Sequence, residues 1–177
     1  GRSGPALPEK PKRKKKPFMD RIVVRGGNRL KGRVRISGAK NAALPIMSAA
    51  IACDEPVTIR NVPSLLDIDG MEHLLCSMGV LVERRPGEVT INPRTLRWPE
   101  APYDLVRKMR ASFFVLGPLI ARMRRARVSL PGGCAIGSRP VDIHIKALEA
   151  LNVDVKVEHG YVEVRADGPG QLVGQRV

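Results

Sequence analysis

The apolar and polar positions of this 177-residue chain predict a series of alternating helices and strands. An alanine-rich helix over residues 41–53 precedes a strand of β-branched residues at 57–59. A helix over 67–78 then carries apolar residues at helical spacing, and two short strands follow at 80–83 and 88–91. Apolar residues recur about every 3.6 residues in a helix and about every 2 residues in a half-buried strand, and this difference distinguishes the two kinds of element. The pattern therefore indicates the order helix, strand, helix, strand, strand.

The same order returns in the second half of the chain. We predict a helix over 105–125, in which Gly117 and Pro118 mark either a bend or a tight contact. A strand at 127–130, a helix over 141–151 and paired strands at 153–157 and 161–164 follow. Aligning the two copies places Val57 over Val128, an offset of 71 residues, and Val80 over Val153, an offset of 73 residues. The second copy has therefore gained two residues between its first strand and its second helix, and an insertion into a repeated unit often carries function.

These repeats predict an α/β (α+β) fold with the following organisation. A basic, disordered tail (1–18) precedes N-terminal strands (19–37), a first repeat unit (38–92), a linker (93–104), a second repeat unit (105–166) and the opening of a third (167–177). Within the N-terminal segment we expect strands at 22–25 and 33–37, and in the first helix we expect Pro45 to lie in the first turn. Because the first residue is not Met and the third unit is incomplete, we expect a piece of a longer protein.

The net charge of +14 indicates that partners of this chain are negatively charged. The tail contributes seven Lys/Arg against one Glu, and its run at residues 12–16 is compatible with nucleic-acid binding, an address signal or a solvated tail. The surplus in the rest of the chain suits anionic ligands such as phosphates. No apolar run is long enough to span a bilayer, so we expect no membrane partner.

Three widely spaced cysteines argue against a disulfide framework and favour a reducing, cytoplasmic setting. We expect Cys53 and Cys76 to be core residues, and no spacing of Cys and His predicts a metal site or a cofactor. Cys134 differs because Gly132, Gly133 and Gly137 surround it and Arg139 follows. A thiol on such a loop is either a small buried side chain on a turn or a reactive group, and the insertion favours the second interpretation.

Two further positions carry polar groups at helix starts. Lys40 and Asn41 open the first helix, and Arg110 lies one residue before Ala111, which the repeat aligns with Lys40. A helix N-terminus with a Lys, an Asn or an Arg suits a phosphate or carboxylate, although a solvated helix-end charge is the alternative. Asp67 and Asp69 fit the first turn of the second helix, so we interpret them as capping residues.

Several motifs together resemble the UDP-N-acetylglucosamine 1-carboxyvinyltransferases, a family of enolpyruvyl transferases. They are SGAKNAALP at 37–45, APYDLV at 101–106, MRAS at 109–112, LPGGCAIG at 130–137 and RPVD at 139–142. The resemblance implies an inside-out α/β barrel of repeated βαβαββ-type units, of which two units of the first domain are present here. It also implies that the first strands pack on a second domain.

The resemblance further implies transfer of enolpyruvyl from phosphoenolpyruvate to the 3-hydroxyl of UDP-N-acetylglucosamine, the first committed step of peptidoglycan synthesis. Phosphoenolpyruvate would contact Lys40 and Asn41, and Cys134 would be the general acid and the thiol that fosfomycin alkylates. UDP-N-acetylglucosamine would contact these residues: Arg110, Arg139, Pro140, Val141, Asp142 and Ile143. Because the catalytic base is not in these 177 residues, we expect them to lack turnover alone. The alternative is a nucleotide- or nucleic-acid-binding paralogue or fragment without chemistry.

Overall fold

The computed structural model describes residues 22–107, 109–131, 141–167, 172 and 174, and it divides into two compact parts at residue 34. The helices and strands of the described residues all belong to the second part, which begins at Arg35. Its elements fall into two copies of one arrangement, which we call the first copy (residues 40–92) and the second copy (residues 100–165).

The N-terminal segment forms no strand between residues 22 and 39, so the predicted strands at 22–25 and 33–37 are wrong. A strand exists only when its backbone is hydrogen-bonded to a neighbour, and within the described residues nothing pairs with this segment. The side chains of Ile22, Val24 and Val34 are 84–94% exposed.

The first copy contains two helices and a three-stranded antiparallel sheet. Its elements are α1 (Lys40–Ala49), a 3₁₀ turn (Ala50–Ala52), β1 (Val57–Arg60), α2 (Leu66–Ser77), β2 (Leu81–Arg85), β3 (Glu88–Asn92) and a 3₁₀ turn (Pro93–Thr95). The strands lie in the order β1-β3-β2. Pro45 is the sixth residue of α1 rather than part of its first turn, and it cannot donate a hydrogen bond to the Asn41 carbonyl one turn earlier.

The second copy has the complete βαβαββ order. Its elements are β4 (Glu100–Ala101), α3 (Tyr103–Val106), a 3₁₀ helix (Arg110–Val115), α4 (Leu116–Met123), β5 (Arg125–Ser129), α5 (Asp142–Ala150), β6 (Asp154–Glu158) and β7 (Tyr161–Arg165). The strands lie in the order β4-β5-β7-β6, with β4 parallel to β5 and the other pairs antiparallel. Residues 100–101, within the segment interpreted as a linker, thus contribute to the second sheet.

The continuous helix predicted over residues 105–125 is wrong, because the structure breaks it into α3, the 3₁₀ helix and α4. Pro118 explains part of the difference. In one long helix its ring would clash with the Phe114 carbonyl, whereas in α4 it is the third residue and lies in the first turn, where proline is tolerated.

The helices lie inside and the sheets outside. In α2, the side chains of Ile68, Met71 and Leu74 are fully buried. The helices of the two copies pack on each other, α1 against the 3₁₀ helix and the 50–52 turn against α4. Each sheet buries one face against these helices, through Val89 in β3 and Val162 in β7, for example, and leaves the other face to solvent. This arrangement is the predicted inside-out α/β fold.

The second halves of the two copies correspond residue by residue. Gly79 follows α2 with φ +87°, and its N–H donates to the Cys76 carbonyl at 2.9 Å. Asn152 follows α5 with φ +64°, and its N–H donates to the Glu149 carbonyl at 3.0 Å. Both helices therefore end in the same left-handed cap, 73 residues apart, which only Gly and Asn adopt readily.

The strand registers correct the alignment of the first halves. Arg60 faces Glu88 in the first sheet, and Ser129 faces Tyr161 in the second. Glu88 and Tyr161 are 73 residues apart but Arg60 and Ser129 only 69, not the predicted 71. The second copy therefore has four extra residues between β5 and α5.

Candidate functional site

Lys40 and Asn41 begin α1, as predicted, and the helix start is open to a ligand. Ala39 precedes the helix without a side-chain cap, and the first turn contains no acidic residue. Because the first N–H groups of a helix have no intrahelical acceptor, those of Lys40 and Asn41 remain available. Asn41 is exposed and Lys40 half-buried. The helix start can therefore offer backbone donors, an amide and an ammonium group to an anion.

Lys40 does not stand alone at this helix start, because its Nζ lies 2.6 Å from Oδ2 of Asp67. The residue before α2 is Leu65, which makes no side-chain cap, so Asp67 and Asp69 do not cap this helix, although their predicted place in its first turn is confirmed. Both carboxylates lie in the first turn of α2, where the helix dipole favours them. Asp67 pairs with Lys40 and Asp69 pairs with Arg84.

Gly38 allows the segment before α1 to approach the segment between β1 and α2. A Cβ at residue 38 would lie 1.7 Å from the carbonyl oxygen of Asn61 and 3.3 Å from Cδ of Pro63. No side chain fits there, so the glycine of the 37–45 motif is required by packing. This contact and the Lys40–Asp67 pair both join the starts of α1 and α2.

Arg110 begins the 3₁₀ helix that packs on α1, so it lies on the segment next to the Lys40–Asn41 helix. Its side chain is half-buried and forms no ion pair or hydrogen bond with another described residue. A guanidinium group in this state keeps its planar fork of donors for a ligand. The structure thus places the predicted cations of the two copies on adjacent helical segments.

The third element with predicted site residues is α5, whose start contains Val141, Asp142 and Ile143. Asp142 is exposed and Ile143 is 72% exposed, so neither is part of the core. The ring of His144 meets the ring of Phe113 edge-on, with centroids 5.6 Å apart. Since Phe113 belongs to the Arg110 segment, this contact joins the start of α5 to that segment.

The remaining predicted site residues, Cys134, Arg139 and Pro140, lie outside the described residues. The other two cysteines were predicted to be core residues, and this prediction is wrong because Cys53 and Cys76 are both exposed. Partial burial and the nearby carboxylate of Glu72 raise the pKa of the Cys76 thiol. Its thiolate is therefore scarce at neutral pH, although its surface is accessible.

The described residues contain no group of three or more His, Cys, Asp or Glu side chains arranged to hold a metal ion. Among the helices of the described residues, none combines the length and the apolar character needed to cross a bilayer.

Similar sequences cover most of this chain but only part of the proteins that carry them. It is 54% identical over 165 residues to the UDP-N-acetylglucosamine 1-carboxyvinyltransferase of Sphingopyxis alaskensis, covering 89% of this chain and 38% of that protein. It is 53% identical over 158 residues to the protein of the same name from Maricaulis maris, covering 89% and 37%. The chain thus spans less than two-fifths of the length of these curated relatives.

Solved structures show the same fold. The enolpyruvyl transferase NikO from Streptomyces tendae matches with a TM-score of 0.66 and 26% identity, covering 80% of this chain and 31% of that chain. An EPSP synthase from Acinetobacter baumannii matches with a TM-score of 0.57 and 18% identity, covering 81% and 33%. The second likeness concerns the fold alone.

The profile of one protein family matches residues 24–177, which is nearly the whole described chain. This match agrees with the resemblance that the sequence motifs carry. The chain therefore belongs to the EPSP synthase (3-phosphoshikimate 1-carboxyvinyltransferase) family of enolpyruvyl transferases.

Proposed function

We propose that the protein containing this chain transfers the enolpyruvyl group of phosphoenolpyruvate to the 3-hydroxyl of UDP-N-acetylglucosamine and releases phosphate. The observation that carries the proposal is the packing of α1, which begins with Lys40 and Asn41, on the 3₁₀ helix that begins with Arg110, in a chain 54% identical to relatives of that name. Both substrates are anions, and both helix starts offer donors that suit anions.

Lys40 and Asn41 would hold phosphoenolpyruvate. The ammonium group of Lys40 has three N–H donors, so it can contact Asp67 and still donate to a phosphate or carboxylate oxygen. Arg110 would bind a phosphate of the nucleotide sugar with two parallel N–H groups. Val141, Asp142 and Ile143 would contact the same substrate, together with Arg139 and Pro140.

The proposed reaction has two steps. The sugar 3-hydroxyl adds through oxygen to C2 of phosphoenolpyruvate, its proton passes to a base, and C3 takes a proton and becomes a methyl group. The tetrahedral intermediate then loses phosphate from C2 and a proton from C3, which restores the double bond. Cys134 would supply the proton to C3, and the cations would stabilise the charge on the phosphate and carboxylate.

This activity would place the protein in the cytoplasm, at the first committed step of peptidoglycan synthesis, and would make it a target of fosfomycin. The exposed apolar side chains at residues 22–36 would pack on a second domain of the same protein. The described residues do not include the base that the first step needs, and we place it in that domain.

A phosphate-release assay on the protein expressed from the complete coding sequence that contains these residues tests the proposal. We expect phosphate release that needs both substrates, and loss of fosfomycin labelling in Cys134→Ser. The double variant Cys53→Ser/Cys76→Ser is the matched control and should still be labelled, since both of its thiols are exposed and lie outside the proposed site. Absence of phosphate release would refute the proposed reaction, and labelling that persists in Cys134→Ser would refute the role of that thiol.

A further inference from the structure

We propose that Asp67 is a positioning residue that fixes the ammonium group of Lys40 at the start of α1, and that phosphoenolpyruvate binding depends on it. This inference rests on the proposed function of Lys40. The observation behind it is the 2.6 Å contact between Lys40 Nζ and Asp67 Oδ2.

Stability alone does not explain the pair. A lysine at the first position of a helix faces the positive end of the helix dipole, where an acidic residue would be favoured. The two side chains are 42% and 38% exposed, and an ion pair this open adds little to folding stability. The helix thus carries a cation where stability disfavours one, and a neighbouring helix supplies its counter-charge.

The surroundings make Asp67 a firm anchor. It lies in the first turn of α2, which the dipole of that helix favours, and the fully buried side chains of Ile68 and Met71 hold α2 in the core. The close contact between Gly38 and Asn61 also fixes the segment that leads into α1 against the segment that leads into α2. Asp67 therefore belongs to a rigid element that is separate from the helix on which the ligand would bind.

One contact to Asp67 leaves two N–H donors of the Lys40 ammonium group for an incoming anion. Fixing this long side chain before the ligand arrives removes conformational freedom that binding would otherwise have to restrict. Removing the carboxylate would also remove a negative charge from the neighbourhood of the anion. Simple charge repulsion therefore predicts tighter binding in Asp67→Asn, whereas positioning predicts weaker binding.

The test compares Asp67→Asn with Asp69→Asn in the protein expressed from the complete coding sequence. Both variants remove one carboxylate from the same turn of α2, but Asp69 pairs with Arg84, which Glu72 also contacts. We expect Asp67→Asn to raise the KM for phosphoenolpyruvate about tenfold and to change the KM for UDP-N-acetylglucosamine less than about twofold. Asp69→Asn should change neither, and Asp67→Glu should recover part of the loss.

A second readout needs no turnover. Reductive methylation of the ligand-free protein, followed by peptide mass spectrometry, should modify Lys40 faster in Asp67→Asn than in the wild type or in Asp69→Asn. In a Lys40→Met background, Asp67→Asn should have no further effect on phosphoenolpyruvate binding, because the two residues act through one contact.

The outcomes separate the two proposals. If the wild type binds phosphoenolpyruvate and Lys40→Met weakens that binding, but Asp67→Asn leaves it unchanged or strengthens it, the role of Asp67 is wrong and the site remains. If the wild type does not bind phosphoenolpyruvate, or Lys40→Met has no effect, the proposed role of Lys40 is wrong and the inference about Asp67 falls with it.

Discussion

The two copies of the repeated arrangement share their second halves and differ in their first. Each ends in a helix with a left-handed cap and a two-residue hairpin, at a constant spacing of 73 residues. The first copy begins with one continuous helix, α1, whereas the second begins with β4 and α3, which a 3₁₀ helix and α4 follow. The second copy also has four more residues between β5 and α5.

The difference coincides with the proposed chemistry. The conserved geometry of the hairpins builds the outer sheets, which have no proposed ligand contact. The divergent parts contain Asn41 near the start of α1 and Arg110 at the start of the 3₁₀ helix, and the longer connection contains Cys134. A duplicated scaffold thus keeps its hairpins and places different side chains at the helix starts and in one loop.

The largest expected effect is at Gly38, where the first copy has a close backbone approach. In Gly38→Ala the new Cβ would lie 1.7 Å from the Asn61 carbonyl oxygen, so the start of α1 has to move. We expect the free energy of unfolding to fall by about 3 kcal/mol and the Tm by about 6–12 °C, as measured by thermal and denaturant unfolding.

Gly117→Ala is the matched control, because a Cβ at residue 117 meets nothing within 4 Å and lies in α4. It should leave the Tm unchanged or raise it slightly. Equal losses in the two variants would show that the Gly38 contact does not hold the site together.

The next effect concerns Asn41 and Arg110, each of which lies at the start of a helical segment. Asn41→Ala should raise the KM for phosphoenolpyruvate by about tenfold or more, and Arg110→Ala should do the same for UDP-N-acetylglucosamine, because each removes hydrogen bonds to a charged ligand. Steady-state kinetics with each substrate varied in turn measures this, on the protein from the complete coding sequence. The control is Arg60→Ala on the outer face of the first sheet, which should change neither KM. If both variants impaired the same substrate alone, the division of the site between the copies would be wrong.

Periodicity and turn chemistry predicted the shared halves of the two copies well. Gly79 marked the end of α2, and Pro86–Gly87 and His159–Gly160 marked the hairpins, because local backbone preference and side-chain burial agree there. The first halves were predicted less well. Nothing in the sequence shows that residues 22–25 and 33–37 lack a pairing partner among the described residues, since pairing is a tertiary property.

The candidate site was predicted in its residues but not in its contacts. Lys40, Asn41 and Arg110 followed from the motifs, whereas the pairing of Lys40 with Asp67 depends on how two helices meet. Asp67 in the first turn of α2 was the available signal, and capping explained it equally well from the sequence. The alignment error of two residues arose because strands 57–59 and 127–130 can be matched in two ways with the same face buried.

A smaller effect distinguishes the two helix caps. Gly79→Ala places a Cβ at φ +87° and within 3.1 Å of the Trp98 ring, so we expect a loss of about 2 kcal/mol in the free energy of unfolding. Asn152→Ala should lower the free energy of unfolding by about 1 kcal/mol, because its only cost is the left-handed backbone conformation at this position. Asn152→Gly is the control and should be neutral or slightly stabilising. Denaturant unfolding that gave the larger loss for Asn152→Ala would contradict the role of the Trp98 contact.

The smallest effect tests one equivalent pair on the solvent faces of the two sheets. The Oγ1 atoms of Thr58 and Thr90 lie 2.9 Å apart across β1 and β3, and at the corresponding place in β5 and β7 Arg127 Nε lies 2.9 Å from Glu163 Oε1. Thr58→Val and Glu163→Gln should each lower the free energy of unfolding by about 0.5 kcal/mol. Because salt screens exposed charges, the loss in Glu163→Gln should vanish in about 1 M NaCl while that in Thr58→Val persists. Denaturant unfolding at low and high salt measures both, and a salt-independent loss in Glu163→Gln would mean that the ion pair contributes through packing rather than charge.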